Sequence, residues 1–308
     1  MVRLRAERAK LFGFKNHAEY VISAQTAGNA SNVHGMLRQV ASPAVRNARA
    51  EGADIQRAIG QEFELQSWDW DFYTEKVRVE KYNLDTTKMR PYFELERVLH
   101  DGIFFAAEKL FGITFKERKD LITYHPEARS QVNEMWILWP EVVRNYARHF
   151  ETGEVLPQEW IDKLHESSTF NEGHATTSYL AAAILDLAWH ELEEDSIPED
   201  VNLFEAEAIR AYGLDYPPVP TRYRSTYFAH IFAGGYSAGY YGYIWSEVLD
   251  ADTVEWFKEN GGLTRSNGDH FRRTLLGCGG SIDSMQMFRN FRGRDKKIEP
   301  LLKRRGLN

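Results

Sequence analysis

The sequence predicts an all-α fold. Three observations carry that prediction: apolar residues recur at spacings of three and four in one segment after another, strand-like alternation is almost missing, and glycine or proline stands where the helices should stop. In chain order, FELERVLHDGIFFAAEKLFG places Leu95, Leu99, Phe104 and Leu110 near one buried stripe, which Gly112 ends. The stretch 122–131, ITYHPEARSQ, reads as an irregular break. NEMWILWPEVVRNYARHF is helical again, and Pro140 should kink it or mark a boundary, because proline has no N–H to give to the preceding turn. FNEGHATTSYLAAAILDLAWHEL is apolar nearly all round in its middle, as a fully buried helix is. Pro217, Pro218 and Pro220 make a stiff extended connector. LDADTVEWFKENGG opens with Asp252 three residues before Glu255, a capping-box-like start, and stops at Gly261 after Asn260. No internal repeat interrupts the series.

Composition bounds the function. A chain of 308 residues with 43% hydrophobic and 13% aromatic content buries a sizeable core, in one large domain or two. Its one cysteine, Cys278, forms no intrachain disulfide and no thiolate metal site, so a reducing cytoplasm is the expected compartment. No basic start followed by an apolar run suggests export, and no window approaches the ~18 apolar residues of a membrane span. A net charge of −7 argues against nucleic acid as the main partner. The locally basic tail FRGRDKKIEPLLKRRGLN reads as a solvated or docking segment.

Two places pair a histidine with a glutamate as zinc peptidases do. A helical zinc site needs two imidazoles one turn apart and a carboxylate beside the first, the meaning of HExxH. None of the ten histidines is four residues from another. HESST, opening at His165, lacks the second imidazole, and HELEE, opening at His190, puts Glu194 where it would stand. Glu191, Glu193, Glu194 and Asp195 read as a solvated helix end. His174 and His190 share a helix, but sixteen residues at about 100° each leave them roughly 160° apart. His174 is expected to be a partly buried structural histidine.

The more suggestive constellation is AHIFAGGYSAGYYGYIWSEV. Gly234 and Gly235 permit unusual backbone geometry. Tyr236, Tyr240 and Tyr243 then fall at i, i+4 and i+7, three phenols on one helix face with Tyr241 pointing elsewhere. Phenols in a cleft donate hydrogen bonds to a carbonyl, a carboxylate or an oxyanion, with His230 just upstream. An aromatic core stripe is the equal alternative. Arg222 and Arg224 in TRYRS are placed to grip a carboxylate, or to make exposed ion pairs.

HIFAGGYSAGYYGYIWSEVLDADTVEWFKENGGL, with RYRSTYFAH, FNEGHATTSYLAAAILDLAWH and GITFKERKDLITYHPEAR, resembles the thimet oligopeptidase family of zinc metallopeptidases, and within it the bacterial dipeptidyl carboxypeptidases. The resemblance runs from RLRAERAKLFGFKNHAEY to LLKRRGL, essentially the whole chain. It implies a helical, two-lobed channel fold that cleaves short peptides, with His230, Tyr236, Tyr240 and Tyr243 contacting substrate and stabilising the transition state. The departures are as specific. The N-terminal lobe is largely missing, and HPEAR runs straight into SQVNEMW, where the family carries a block with HEFGH and the acidic third zinc ligand. Glu134 matches a glutamate that in the family stands behind the metal, not on it. His174 replaces a usual phenylalanine and Glu172 a usual glutamine.

The chain is therefore expected to be one oligopeptidase-like helical domain over 1–308, with a deletion junction near 129–130 and no metal site or cofactor, zinc belonging to the parent family. The family reaction is attack by a zinc-activated water with glutamate as base. Tyrosines and a histidine contribute about 3–4 kcal/mol per oxyanion donor but supply no nucleophile. Three readings stay open: a zinc-less remnant that binds short peptides, one part of a peptidase completed by another chain or ligand set, and a fragment without independent function. Expected substrate contacts are His230, Tyr236, Tyr240 and Tyr243, with Arg222, Arg224, Glu134 and His174 beside them.

Overall fold

A computed structural model of the chain describes residues 1–82, 86–116 and 134–308. The helices are α1 (Val2–Leu11), α2 (His17–Ile22), α3 (Ala30–Ile59), α4 (Trp70–Tyr82), α5 (Phe105–Phe111), α6 (Pro140–Tyr146), α7 (Gln158–Ser167), α8 (Glu172–His190), α9 (Val201–Arg210), α10 (Ala229–Phe232), α11 (Gly242–Glu259), α12 (Arg265–Thr274), α13 (Ser284–Arg292) and α14 (Glu299–Arg304), with shorter helical turns between them. Among the described residues the only β feature is an isolated bridge between Arg148 and Val155, so the fold is all-α. No described helix is long and apolar enough to cross a membrane. The irregular stretch 122–131 and the junction at 129–130 lie outside the described residues.

Two compact units divide the chain. The first comprises Met1–Lys81, Thr169–Ser246 and Leu301–Asn308. Its spine is α3 packed along α8. On α3, Val33, Leu37, Val40, Ala44 and Ala48 are buried at the three- and four-residue spacing that sets one helical face. From α8, Leu180, Ala183, Ile184, Leu185 and Leu187 are fully buried, each large side chain contributing about 1.5–3 kcal/mol of burial. Pro43 sits inside α3 and costs it one backbone bond. A satellite cluster of Ile55, Ile59, Leu65, Trp70, Val77 and Val219 closes one end.

The second unit comprises Tyr82–Ser168 and Glu247–Pro300. Its core joins Leu110, Trp136, Val142, Val143, Tyr146, Phe257, Phe271 and Phe291. Two expectations need correcting here. Leu95 does not join the stripe of Leu110, being 74% exposed. Val98–Phe104 is a π-helical turn, which shifts the buried face to Gly102, Ala106 and Leu110. Pro140 marks a boundary, as expected, starting a helix at the first position of α6, where a missing N–H costs nothing. Asp252 is not a cap: α11 begins ten residues earlier, and Asp252 is buried against Arg292, Arg294 and the Lys297 N–H. The glycine stops hold, since Gly112 has φ +64° and Gly261 φ +84°.

Candidate functional site

The tyrosine segment is built on a turn, not on a helix face. After α10, residues 233–241 are non-helical and α11 starts only at Gly242. Gly234 is required by proximity, not by φ: a Cβ there would stand 2.8 Å from the His230 carbonyl oxygen. The left-handed residue is Ala238, with φ +54°. What holds it is Asp186, fully buried in α8. One carboxylate oxygen accepts from the Ala238 N–H at 2.8 Å and the other from the Tyr240 N–H at 2.9 Å. His190 Nδ1, one turn on, donates to Asp186 Oδ1 at 2.8 Å. A buried carboxylate left short of donors is costly, and here three converge on it. His17 adds a further tie, its Nε2 lying 3.0 Å from Ser237 Oγ. Burial, then the charges of its neighbours, takes the His17 pKa down to about 3, so that ring is neutral.

The turn gathers the aromatic groups. Tyr236 and Tyr243 stack with centroids 5.4 Å apart, and Tyr240 meets Tyr243 edge-on at 5.2 Å. His230 lies 6.2 Å from Tyr236 and 5.8 Å from Tyr240. Tyr240 is 3% exposed, whereas Tyr236 and Tyr243 are 46% and 37% exposed, so the outer pair faces solvent. Tyr241 packs against Trp245 and points elsewhere, as its spacing predicts. Burial and then the neighbouring Tyr236 phenol push the Tyr243 pKa up to about 12, and burial raises that of Tyr240. These phenols are therefore O–H donors at neutral pH.

The two arginines part company. Arg222 is exposed, with its guanidinium over the Tyr179 ring at 5.5 Å and its charge drawing the Tyr240 phenol's pKa down against burial. Arg224 is ion-paired with buried Glu205, which also accepts from the Ser225 N–H at 2.9 Å. Arg222 thus extends the tyrosine cluster, while Arg224 fastens a loop. Tyr223, unsuspected in the sequence, stacks on Phe228 at 4.7 Å and approaches His230 at 5.1 Å. Its only sequence signal is its place between the arginines.

His174 does not join this cluster. Its ring stacks on Trp70 at 4.5 Å, and burial lowers its pKa. Glu51 of α3 caps this end of α8, accepting from the Gly173 and His174 N–H groups at 2.8 Å each. Glu172 is bound by Arg305 at 2.8 Å. Glu191 is more than a solvated helix end, pairing with His34. Glu134 belongs to the second unit, where it is exposed and is the one charged residue lining a cavity of about 490 Å³. Val98, Ile103, Leu110, Phe115 and Trp136 are among the other walls.

Zinc chemistry needs three or four N, O or S donors converging on one point. Among the described residues no three His, Cys, Asp or Glu side chains do so. The described donors, as they are placed, do not fit the metal.

The sequence model of Peptidase family M3 matches residues 1–130 and 126–307. Among curated relatives, the dipeptidyl carboxypeptidase of Escherichia coli K12 is 34% identical over 416 residues, covering 100% of this chain and 61% of the relative. Oligopeptidase A of the same organism is 25% identical over 421 residues, again 100% and 61%. The organellar oligopeptidase A of Arabidopsis thaliana is 25% identical and matched over 54% of its length. The chain thus matches about three fifths of the length of these bacterial relatives. A 416-residue match against a chain of 308 leaves 108 positions of the first relative without a counterpart.

Proposed function

The chain belongs to peptidase family M3, and from that premise we propose that it binds short peptides through the tyrosine turn and does not hydrolyse them. The observation that supports this reading most is the solvent-facing pair Tyr236 and Tyr243, with His230 and Arg222 around the same turn. The phenols and the His230 ring offer hydrogen bonds to peptide carbonyls, and stacked rings offer an apolar platform to side chains. Arg222 offers a bidentate partner to a C-terminal carboxylate. Arg224 is left out, because Glu205 already neutralises it.

Hydrolysis is set aside on chemistry. Peptide cleavage in this family is metal-assisted, and among the described residues the donors do not assemble a zinc site, so no step is routed through one. The proposed cause is an internal deletion near 129–130, where the two family matches meet at 126–130. Hydrogen-bond donors alone do not attack an amide.

The test is a calorimetric titration with a short peptide carrying a free C-terminus and with its C-terminal amide. The expected result is binding of both, tighter for the acid, weakened by Tyr236→Ala and Tyr243→Ala, with the peptide recovered intact. Equal binding by wild type and both variants removes the tyrosine turn as the site, and cleavage that a chelator abolishes removes the non-hydrolytic half.

One observation favours a second reading, in which another polypeptide completes a peptidase. The apolar cavity is lined from residues 98–115 and 134–146, the described stretches on either side of the place where the family matches meet. Hydrolysis appearing when the chain is mixed with a polypeptide supplying an HExxH block supports that reading, and continued inactivity of a stable complex removes it.

A further inference from the structure

Behind the tyrosine turn a line of buried polar groups runs back to the first helix of the chain. His190 is 1% exposed, and both of its ring nitrogens are committed. Nε2 faces Arg5 NH1 at 2.7 Å, and a guanidinium only donates, so Nε2 is the acceptor. Nδ1 therefore carries the proton, which it shares between the Asp186 carbonyl and carboxylate, each at 2.8 Å. The same Arg5 nitrogen donates to the Ile231 carbonyl at 2.7 Å, and its partner NH2 to the Phe232 carbonyl at 3.3 Å. Those carbonyls belong to α10, the helix that carries His230. Arg5 thus grips α10 with one hand and fixes the His190 tautomer with the other.

We propose that Arg5, His190 and Asp186 are positioning residues for the tyrosine site, coupling α1 to the placement of His230, Tyr236, Tyr240 and Tyr243. The inference rests on the peptide-binding reading for its consequence, though not for its geometry. None of the three touches the outer face of Tyr236 or Tyr243. Each acts through another group: Arg5 on the His190 tautomer and the α10 carbonyls, His190 on the Asp186 carboxylate, Asp186 on the Ala238 and Tyr240 N–H groups. The left-handed Ala238 needs such support, because an alanine at positive φ is strained and persists only where its surroundings hold it. An asparagine at position 186 would lose the charge that draws three donors together. A methionine at position 5 would fill the same space with no donor, freeing the imidazole to adopt either tautomer.

Three readouts separate positioning from general stability. Long-range proton–nitrogen NMR reports the His190 tautomer, amide exchange reports the Ala238 and Tyr240 N–H groups, and titration with the free-acid peptide reports affinity. Arg5→Met is expected to mix the His190 tautomers, speed exchange at both amides and weaken peptide binding, each of the latter by roughly tenfold, the worth of about one lost buried hydrogen bond. Leu180 and Ala183, in the middle of α8, should keep their protection, and Arg5→Lys should recover part of the affinity by restoring a donor. Asp186→Asn is the harsher variant; should it fail to fold, Arg5→Met decides alone. Unchanged exchange at Ala238 and Tyr240 together with an unchanged tautomer in Arg5→Met overturns the proposal. Should wild type bind no peptide, the function proposed above fails by itself, and the exchange and tautomer readouts still decide whether the line holds the turn.

Discussion

The tyrosine turn of the first unit and the cavity wall of the second are both parts of a peptidase-family chain, yet they are finished to different degrees. At the turn the strained and buried backbone is held by a chain of partners: Ala238 and Tyr240 have Asp186, Asp186 has His190, and His190 has Arg5. At the cavity, Ile103, Ile113 and Phe115 stand 46–48% exposed around a space where, among the described residues, Glu134 is the one charged wall. Soluble surfaces seldom leave large apolar side chains grouped in this way unless something else packs there. The contrast teaches that two regions of one chain can be supported to different degrees, because each depends on its own surroundings.

The largest expected effect measures how differently the two regions are built. Leu180→Ala removes a fully buried side chain from the α3–α8 spine and should destabilise the chain by about 2–5 kcal/mol. Ile103→Ser, at the cavity rim, should change stability by no more than about 0.5 kcal/mol and improve solubility. Urea unfolding of the two variants makes the comparison. A cost at Ile103 as large as that at Leu180 would mean that the rim is already packed, and the contrast would break.

A second prediction tests how firmly the first unit's polar groups are committed. Glu51 caps α8 from inside the fold, and burial above all pushes its pKa up to about 7, against the hydrogen bonds from Gly173 and His174. The native state therefore holds this proton more tightly than the unfolded chain. Its stabilisation is complete below the ordinary glutamate value of 4.5 and fades as pH rises through about 7. Relative to Glu51→Gln, which titrates nothing, the wild type should lose on the order of 2–3 kcal/mol between about pH 5 and about pH 8. Parallel pH profiles for the two proteins would show that the carboxylate is not held as the structure has it.

The third effect is smaller and sharpens the site itself. Arg222→Ala should weaken binding of a free-acid peptide by roughly tenfold and leave the amide form nearly untouched, since it removes the exposed cation beside Tyr240. Arg224→Ala should leave both affinities alone while lowering stability, because it strands the buried Glu205. Titrations with the acid and the amide decide. Equal losses in the two variants would return Arg224 to the site.

Much of this was legible in the sequence, and the misses share a cause. The buried helix α8 announced itself by an apolar run, the stop at Gly112 by its residue type, and the divergence of Tyr241 from the other phenols by spacing. The clustering of Tyr236, Tyr240 and Tyr243 was foreseen, but from a helix that does not exist there. A carboxylate fifty residues upstream makes the turn, and a lone aspartate in LAAAILDLAWH carries no local sign that it reaches so far. The π turn at Val98–Phe104 is hidden for a related reason. It shifts a face by one residue through a change of backbone bonding that apolar spacing does not encode. Local rules read elements, whereas long-range hydrogen bonds set which faces they present.

The smallest predicted effect is none at all, and it bears hardest on the contrast. Zinc and chelator should leave the unfolding temperature of the dialysed chain unchanged, and elemental mass spectrometry should find no stoichiometric zinc. A ligand that binds only the native state raises stability in proportion to the logarithm of its excess over Kd, so even a modest site would register. Three of the described residues that the zinc question singles out are already engaged. His190 has both nitrogens bound, His174 is stacked on Trp70, and Glu172 is held by Arg305. Metal binding at these residues would have to break those bonds first. Stoichiometric, chelator-removable zinc would therefore mean that the chain rearranges around the metal. The peptide-only reading would fall, and His174, Glu172, His190 and Glu134 would be the first residues to substitute.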